Sequence, residues 1–162
     1  MIDSASFRTF YDEALPSVYG YLLRRCGGDT AVAEDLTQDT FLAAVRELRR
    51  ERRVDAPLPW ILGIARHKLV DHYRRSERRQ PESLPLDEGY GAAIEPSADD
   101  GRAVEALAQL PAAQRAALVL RHLDGLSVPE VATLLERSVE AVESLLARGR
   151  VGFRRAYGEG SK

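Results

Sequence analysis

A dense run of cationic chemistry lies between His67 and Arg79, where His67, Lys68, Arg74, Arg75, Arg78 and Arg79 crowd onto one expected helix. At a helical period His67, Asp71, Arg74 and Arg78 share a stripe, flanked by Lys68, Arg75 and Arg79. A helix of this kind can lie along a nucleic-acid backbone, although a solvated face is the plainest account of any charged run. Trp60 and Tyr73 add aromatic surface on which an unpaired base could stack, and Trp60 suits a core equally well.

A second constellation follows near the C-terminus. Ser127 and Glu130 stand at the spacing of a capping box after Gly125, ahead of apolar Val131, Leu134 and Leu135. Ser138 can cap a further helix with Glu140 in its first turn and a buried stripe of Val142, Leu145, Leu146, Gly149 and Phe153. Glu140, Ala141, Glu143, Ser144, Ala147 and Arg148 are then left outward. A short capped helix, a tight turn and a longer helix with small residues on its outer face is the layout that lets a helix enter the major groove. An ordinary helical hairpin has the same periodicity. Arg148, Arg150, Arg154 and Arg155 can reach phosphates and favour the first reading, while a basic last turn also complements the helix dipole.

The elements that must position these residues are all helical. Phe7, Tyr11, Leu15, Val18, Leu22 and Cys26 recur at three- and four-residue steps and predict a first helix that ends at Gly27-Gly28-Asp29. A second runs from Thr30, taken as N-cap, to about Arg50, with Val32, Leu36, Val45 and Leu48 inward. Residues 49–58 read as a loop and Pro59 to Arg79 as a third helix. Between Gln80 and Gly101 three prolines, three glycines and six acids (Glu82, Asp87, Glu88, Glu95, Asp99, Asp100) leave too little apolar surface to offset the entropy of ordering. Helical periodicity returns with Val104, Leu107, Leu110, Ala117, Leu118 and Leu120, with Pro111 in the first turn of a new helix. The expected fold class is all-α: two small helical domains, an N-terminal bundle over 1–79 and a C-terminal helix-turn-helix over 102–162, joined by a flexible acidic linker over 80–101.

Composition excludes several alternatives. The 162 residues, 44% hydrophobic and 30% charged, are enough for one modest core or two small ones. Cys26 is the only cysteine, so neither an internal disulfide nor a cysteine-based zinc module can form, and a reducing cytoplasm fits. No stretch is apolar enough to span a bilayer, and the N-terminus lacks the pattern of a secretion signal, so membrane insertion is not expected. The formal net charge of −2 averages over the acidic linker and two slightly basic flanks. Phosphates respond to the local face within a Debye length of about 8 Å, so this total does not exclude nucleic acid.

Three segments, Ala33-Glu-Asp-Leu-Thr-Gln-Asp-Thr-Phe41, Pro59-Trp-Ile-Leu-Gly-Ile-Ala-Arg-His-Lys-Leu-Val-Asp-His-Tyr-Arg-Arg75 and Leu110-Pro-Ala-Ala-Gln-Arg-Ala-Ala-Leu-Val-Leu-Arg-His-Leu-Asp-Gly-Leu-Ser-Val-Pro-Glu-Val-Ala132, together resemble sigma factors of the extracytoplasmic-function type, the compact form of the sigma-70 family. The resemblance covers roughly 7–79 and 102–156. It implies an alternative sigma factor that binds core RNA polymerase and directs promoter-specific initiation. The partners it implies are the beta-prime clamp helices and beta flap of polymerase, promoter DNA and an anti-sigma factor.

By the same resemblance Glu34, Asp35, Gln38, Asp39, Phe41 and Leu42 dock on the clamp helices. Val54, Asp55 and Ala56 form the pocket of the minus-ten element, with His67, Lys68, Asp71, Arg74, Arg75 and Arg78 along the melted strand. Ser138, Glu140, Ala141, Glu143, Ser144, Ala147 and Arg148 read the minus-35 element, and the acidic linker threads toward the RNA exit path. Two positions depart from the family pattern. His67 stands where asparagine is common, and Ala141-Val-Glu-Ser144 stands where Thr-Val-Lys-Ser is common. An acid at Glu143 could accept a hydrogen bond from cytosine or merely favour the helix N-terminus.

An enzyme is not expected. His67, Asp71 and His72 with Glu34, Asp35 and Asp39 could be imagined as a metal site, but they fall on outward faces without a paired Glu-x-x-His pattern. No nucleophile-base arrangement or phosphate-cradling glycine loop occurs, so no cofactor, metal or catalytic residue is assigned. A stand-alone helix-turn-helix regulator is the remaining alternative, and it would have no use for the Glu-Asp-Leu-x-Gln helix or the Trp60 segment.

Overall fold

The computed structural model describes residues 4–50, 54–79 and 101–159, and among them every regular element is a helix. In chain order these are α1 (Ser4–Arg25), α2 (Thr30–Leu48), α3 (Pro57–Arg79), α4 (Gly101–Ala108), α5 (Ala112–Leu118), a π-helical turn (Val119–Leu123), α6 (Val128–Leu135) and α7 (Val139–Glu159). The expected all-α class holds. The segment expected as a linker lies, Gly101 apart, outside the described residues.

The chain packs as two units, Met1–Leu69 and Val70–Lys162, so the last turns of α3 group with the C-terminal helices. In the first unit α1 turns inward through Ala14, Val18 and Leu22, and Cys26 just after it is buried as well. It ends where Gly27 and Gly28 both adopt φ near +75° (74° and 75°), a conformation costly for any side chain. Asp29, not Thr30, then caps α2: its carboxylate accepts from the Val32 amide at 3.2 Å. A carboxylate one residue earlier reaches the orphan amides of the first turn, which explains the shift.

The inward face of α2 is also displaced from the expected one. Ala33, Leu36, Thr37, Thr40, Phe41 and Ala44 are buried, whereas Val32, Val45 and Leu48 are only half-buried. The two threonines can lie inside because each hydroxyl donates to the carbonyl four residues back, Thr37 to Ala33 at 2.6 Å and Thr40 to Leu36 at 2.7 Å. Small side chains on this face permit close approach, and α1 and α2 pack against each other there. Tyr11 meets Phe41 edge-on with ring centroids 4.6 Å apart.

In the second unit α7 is the central strut, packed on α4, α5 and α6. Its buried positions Val142, Leu145, Leu146 and Phe153 are those that the periodicity predicts. Gly149 and Gly152 make the groove into which α5 and its lead-in settle: a β-carbon at Gly149 would stand 3.1 Å from Leu118, and one at Gly152 only 2.7 Å from Leu110 Cδ2. Arg102 lies over the Tyr157 ring at 4.4 Å and donates to the Tyr157 carbonyl at 3.2 Å, fastening the start of α4 to the end of α7.

Beyond α5 the ladder widens to a π-helical turn, with the Asp124 amide on the Val119 carbonyl at 3.1 Å. Val119 and Leu120 in this turn continue the buried run of α5. Gly125, at φ +69°, then reverses the chain into α6.

Gly152→Ala gains about 1 kcal/mol in helix propensity but forces the buried Leu110 aside, an overpacking that typically costs about 1–3 kcal/mol. The expected result is a net loss of stability of about 1 kcal/mol in denaturant unfolding; an increase would contradict the packing described.

Candidate functional site

Because Leu36, Thr37, Thr40, Phe41 and Ala44 point inward, α2 presents Glu34, Asp35, Gln38, Asp39 and Leu42 to solvent. At 3.6 residues per turn these five fall within a sector of about 140°. The surface is an acidic patch around one apolar side chain, Leu42, which is 56% exposed. Phe41 does not belong to it. At 5% exposure and against Tyr11, it is a core residue that fixes the rotation of α2, and its expected docking role is corrected accordingly.

Val54, expected in a base-binding pocket, is likewise buried at 6% exposure. It anchors the loop, while its neighbours Asp55 and Ala56 are exposed. The α3 helix starts two residues earlier than Pro59, with the Trp60 amide reaching the Ala56 carbonyl at 3.1 Å. Proline at the first helical position lacks the amide that would otherwise go unsatisfied there. Trp60 is half-buried, its indole N–H donating to Glu47 Oε2 at 3.1 Å and its ring 6.5 Å from that of Phe10. This bond holds the start of α3 against the end of α2.

Along α3, His67, Asp71 and Arg75 are exposed and Lys68 and Arg74 half-buried, all within a sector of about 120° at the helical period. The side chain of Arg78 lies outside the described residues. Tyr73, an expected stacking aromatic, is only 2% exposed, with the Arg115 guanidinium 5.7 Å from its ring centroid. It is therefore a packing residue of the second unit.

Arg74 is held by protein groups. It stands 3.7 Å from Asp71 and 3.7 Å from Glu136, and it donates to the Leu134 carbonyl. Among the described residues no three of His, Cys, Asp or Glu gather as metal ligands.

The helix-turn-helix forms as its sequence signals require. Ser127 Oγ accepts from the Glu130 amide at 3.3 Å, and the Glu130 carboxylate accepts from the Ser127 amide at 3.3 Å, so both halves of the capping box close. The chain leaves α6 through Glu136 in the left-handed region, φ 56° and ψ 46°, a conformation usually left to glycine or asparagine. Ser138 Oγ then accepts from the Ala141 amide at 3.1 Å and opens α7. Ser138, Glu140, Glu143 and Ser144 are exposed, and Ala141, Ala147 and Arg148 half-buried. Arg148 folds back along the helix, donating from Nη2 to Ser144 Oγ at 3.1 Å and from Nε to the Ser144 carbonyl at 3.4 Å.

Arg137, a turn residue by sequence pattern, is the functional candidate that periodicity missed. Its guanidinium pairs with Glu77 in the same unit. Burial first, and then the nearby Arg148 cation, push its pKa below the ordinary arginine value. The Arg148 cation is thus near enough to act on Arg137, whose own charge is paired with Glu77. The signal available in sequence was a lone arginine between the two helices.

Residues 10–79 match the family model Sigma-70 region 2, and residues 101–151 match Sigma-70, region 4. The ECF RNA polymerase sigma factor SigF of Caulobacter vibrioides is 34% identical over 79% of this chain and 72% of its own length. This chain belongs to the ECF sigma factors of the sigma-70 family.

The sigma factor is also similar to the ECF RNA polymerase sigma factor BldN of Streptomyces coelicolor, at 31% identity over 90% of this chain and 58% of BldN. Against BldN the chain thus spans a little over half of the relative's length. In fold it resembles the sigma factor RpoE of Bartonella quintana, crystallised with the anti-sigma factor NepR, with a TM-score of 0.54 at 21% identity over 93% of this chain and 96% of that one. The two matched regions take in the acidic face of α2, the cationic face of α3 and the first turns of α7.

The opposite burial of Phe41 and Leu42 is open to direct test. Phe41→Ala should cost about 3–5 kcal/mol in unfolding free energy, as for other buried aromatics, whereas Leu42→Ala should stay within about 0.5 kcal/mol of the parent. Equal destabilisation by the two would overturn the assigned rotation of α2.

Proposed function

We propose that the chain acts as an alternative sigma factor, joining core RNA polymerase and directing promoter-specific initiation. The observation that carries this reading is the presence of a region 2 match and a region 4 match in one chain, in that order. A stand-alone helix-turn-helix regulator needs only the second. The exposed acidic face of α2 supports docking on a basic helical surface of the polymerase, the beta-prime clamp helices, through Glu34, Asp35, Gln38, Asp39 and Leu42. Leu42 supplies the apolar centre and the acids its rim, the arrangement of an interface whose energy concentrates in a desolvated core.

Asp55 and Ala56, on a loop held by Val54 and the Trp60–Glu47 bond, grip a base of the minus-ten element. The α3 face of His67, Lys68, Asp71, Arg74, Arg75 and Arg78 follows the melted strand. A base taken out of the stack needs a pocket and its strand needs cations, and the loop and helix supply these in sequence. The outer face of α7 reads the upstream element as duplex.

The organisation that follows is a polymerase-docking and minus-ten domain over 1–79, an acidic linker over 80–101 toward the RNA exit path and beta flap, and an upstream-reading domain over 102–162. The protein works in the cytoplasm, where its template is, and has no catalytic group of its own. No helix among the described residues is long and apolar enough to cross a membrane. An anti-sigma factor that covers the polymerase-binding surfaces is the expected regulator, in keeping with the fold likeness to a sigma factor crystallised with one.

Transcription with purified core polymerase and a cognate promoter tests the reading: the chain should direct initiation and co-purify with core, and failure of both would end it. Asp35→Ala and Gln38→Ala should each weaken core binding about tenfold, the effect of losing one well-placed interfacial hydrogen bond of about 1.4 kcal/mol. Duplex binding through α7 should stay unchanged in either variant; parallel loss of both activities would contradict the division of labour.

A further inference from the structure

The polar groups on the outer face of α7 are largely committed within the protein. Ser138 Oγ caps the Ala141 amide and Ser144 Oγ accepts from Arg148, while Ala141 and Ala147 have no hydrogen-bonding side chain. Glu140 lies in the first turn, where the positive end of the helix accounts for an acid. Glu143 lies almost one turn further on and is exposed, with the small Ser144 and Ala147 next to it on the outer face.

A carboxylate at such a place is repelled by every phosphate. It gains free energy only if it passes between the backbones to a hydrogen-bond donor on a base edge. The major groove offers two such donors, the N4 amino group of cytosine and the N6 amino group of adenine. Adenine N6 sits between two acceptors, its own N7 and the O4 of the paired thymine. Cytosine N4 has an acceptor on one side only, the O6 of its guanine, with a C–H group on the other. A carboxylate therefore favours cytosine.

We propose that Glu143 is a specificity-determining residue of the upstream contact, accepting a hydrogen bond from the N4 amino group of a cytosine in the major groove. The inference rests on the reading of this chain as a sigma factor whose α7 faces duplex DNA. Arg148, held in place by Ser144 on the same helix, supplies positive charge that lets an acidic side chain come close to the backbone, so Glu143 selects sequence while Arg148 supplies affinity.

The test is selection of promoter fragments by reconstituted holoenzyme from a pool with a randomised upstream element, followed by initiation from the recovered fragments. The parent protein should enrich cytosine at one upstream position. Glu143→Gln should move the preference there to adenine, the base an amide recognises through N6 and N7. Glu143→Ala should flatten preference at that position alone, with a loss of about tenfold in discrimination.

Initiation with the same base preferences in all three proteins overturns the proposal and leaves the sigma reading standing. The same holds if Glu143→Ala melts at lower temperature while keeping the parent preference, because the carboxylate then serves the helix dipole. If no protein of the set initiates from any fragment, the sigma reading fails, and the inference falls with it.

Discussion

The absence of a β-carbon at Gly149 and Gly152 governs the packing of the second unit. A helix has one circumference, and whatever is committed to packing determines what remains for a partner. Leu118 and Leu110 seat against the two glycines so closely that α7 cannot rotate about its axis without losing those contacts. Val142, Leu145, Leu146 and Phe153 extend the same buried stripe along the helix. The outer face from Ser138 to Arg148 is the complement of that stripe. The caps at Ser127 and Ser138 then fix where the two helices of the motif begin, so that position along the axis is as restricted as rotation about it.

The same logic operates in α2 by different chemistry. Two threonines occupy the inward face, tolerated because each satisfies its hydroxyl on its own helix. Phe41 is locked against Tyr11. The acidic side chains and Leu42 are exposed as a consequence. An acidic surface with an apolar centre makes a partner surface of basic residues with an apolar cleft the complementary one, and it would repel DNA. The exposed face of α2 is thus acidic and that of α3 largely cationic, so the two suit partners of opposite charge.

Electrostatics within the second unit are more entangled than a count of charges implies. Arg74, one of the cations expected along a DNA strand, is shared among Asp71, Glu136 and a backbone carbonyl, and Arg137 is paired with Glu77. Burial first, and the nearby Arg148 cation second, still hold the Arg137 pKa below the ordinary arginine value despite its pairing with Glu77. The net charge of −2 therefore describes neither face that matters.

Local rules made a large part of this molecule readable before any coordinates. A capping box needs only two residues three apart, a serine cap only the next turn, and an amphipathic stripe only its period, so α6, α7 and the inward face of α7 could be written down from the chain itself. So could the cluster of cations on α3 and the acids of α2, whose roles came from family resemblance and not from periodicity. Other features depended on what lies opposite a residue in space. Periodicity places Phe41 beside Leu42 but does not say which of them α1 covers. It cannot tell that Val54 and Tyr73 are enclosed, or that Asp29 reaches the first turn of α2 ahead of Thr30. The widened turn at Val119–Leu123, the left-handed Glu136 and the ion pairs of Arg74 and Arg137 also lie beyond it. The burial of Phe41 and the pairing of Arg74 with Glu136 and of Arg137 with Glu77 are set by neighbours distant in sequence, whereas the cap at Asp29, the widened turn and the left-handed Glu136 are local choices among alternatives that the residue pattern leaves open.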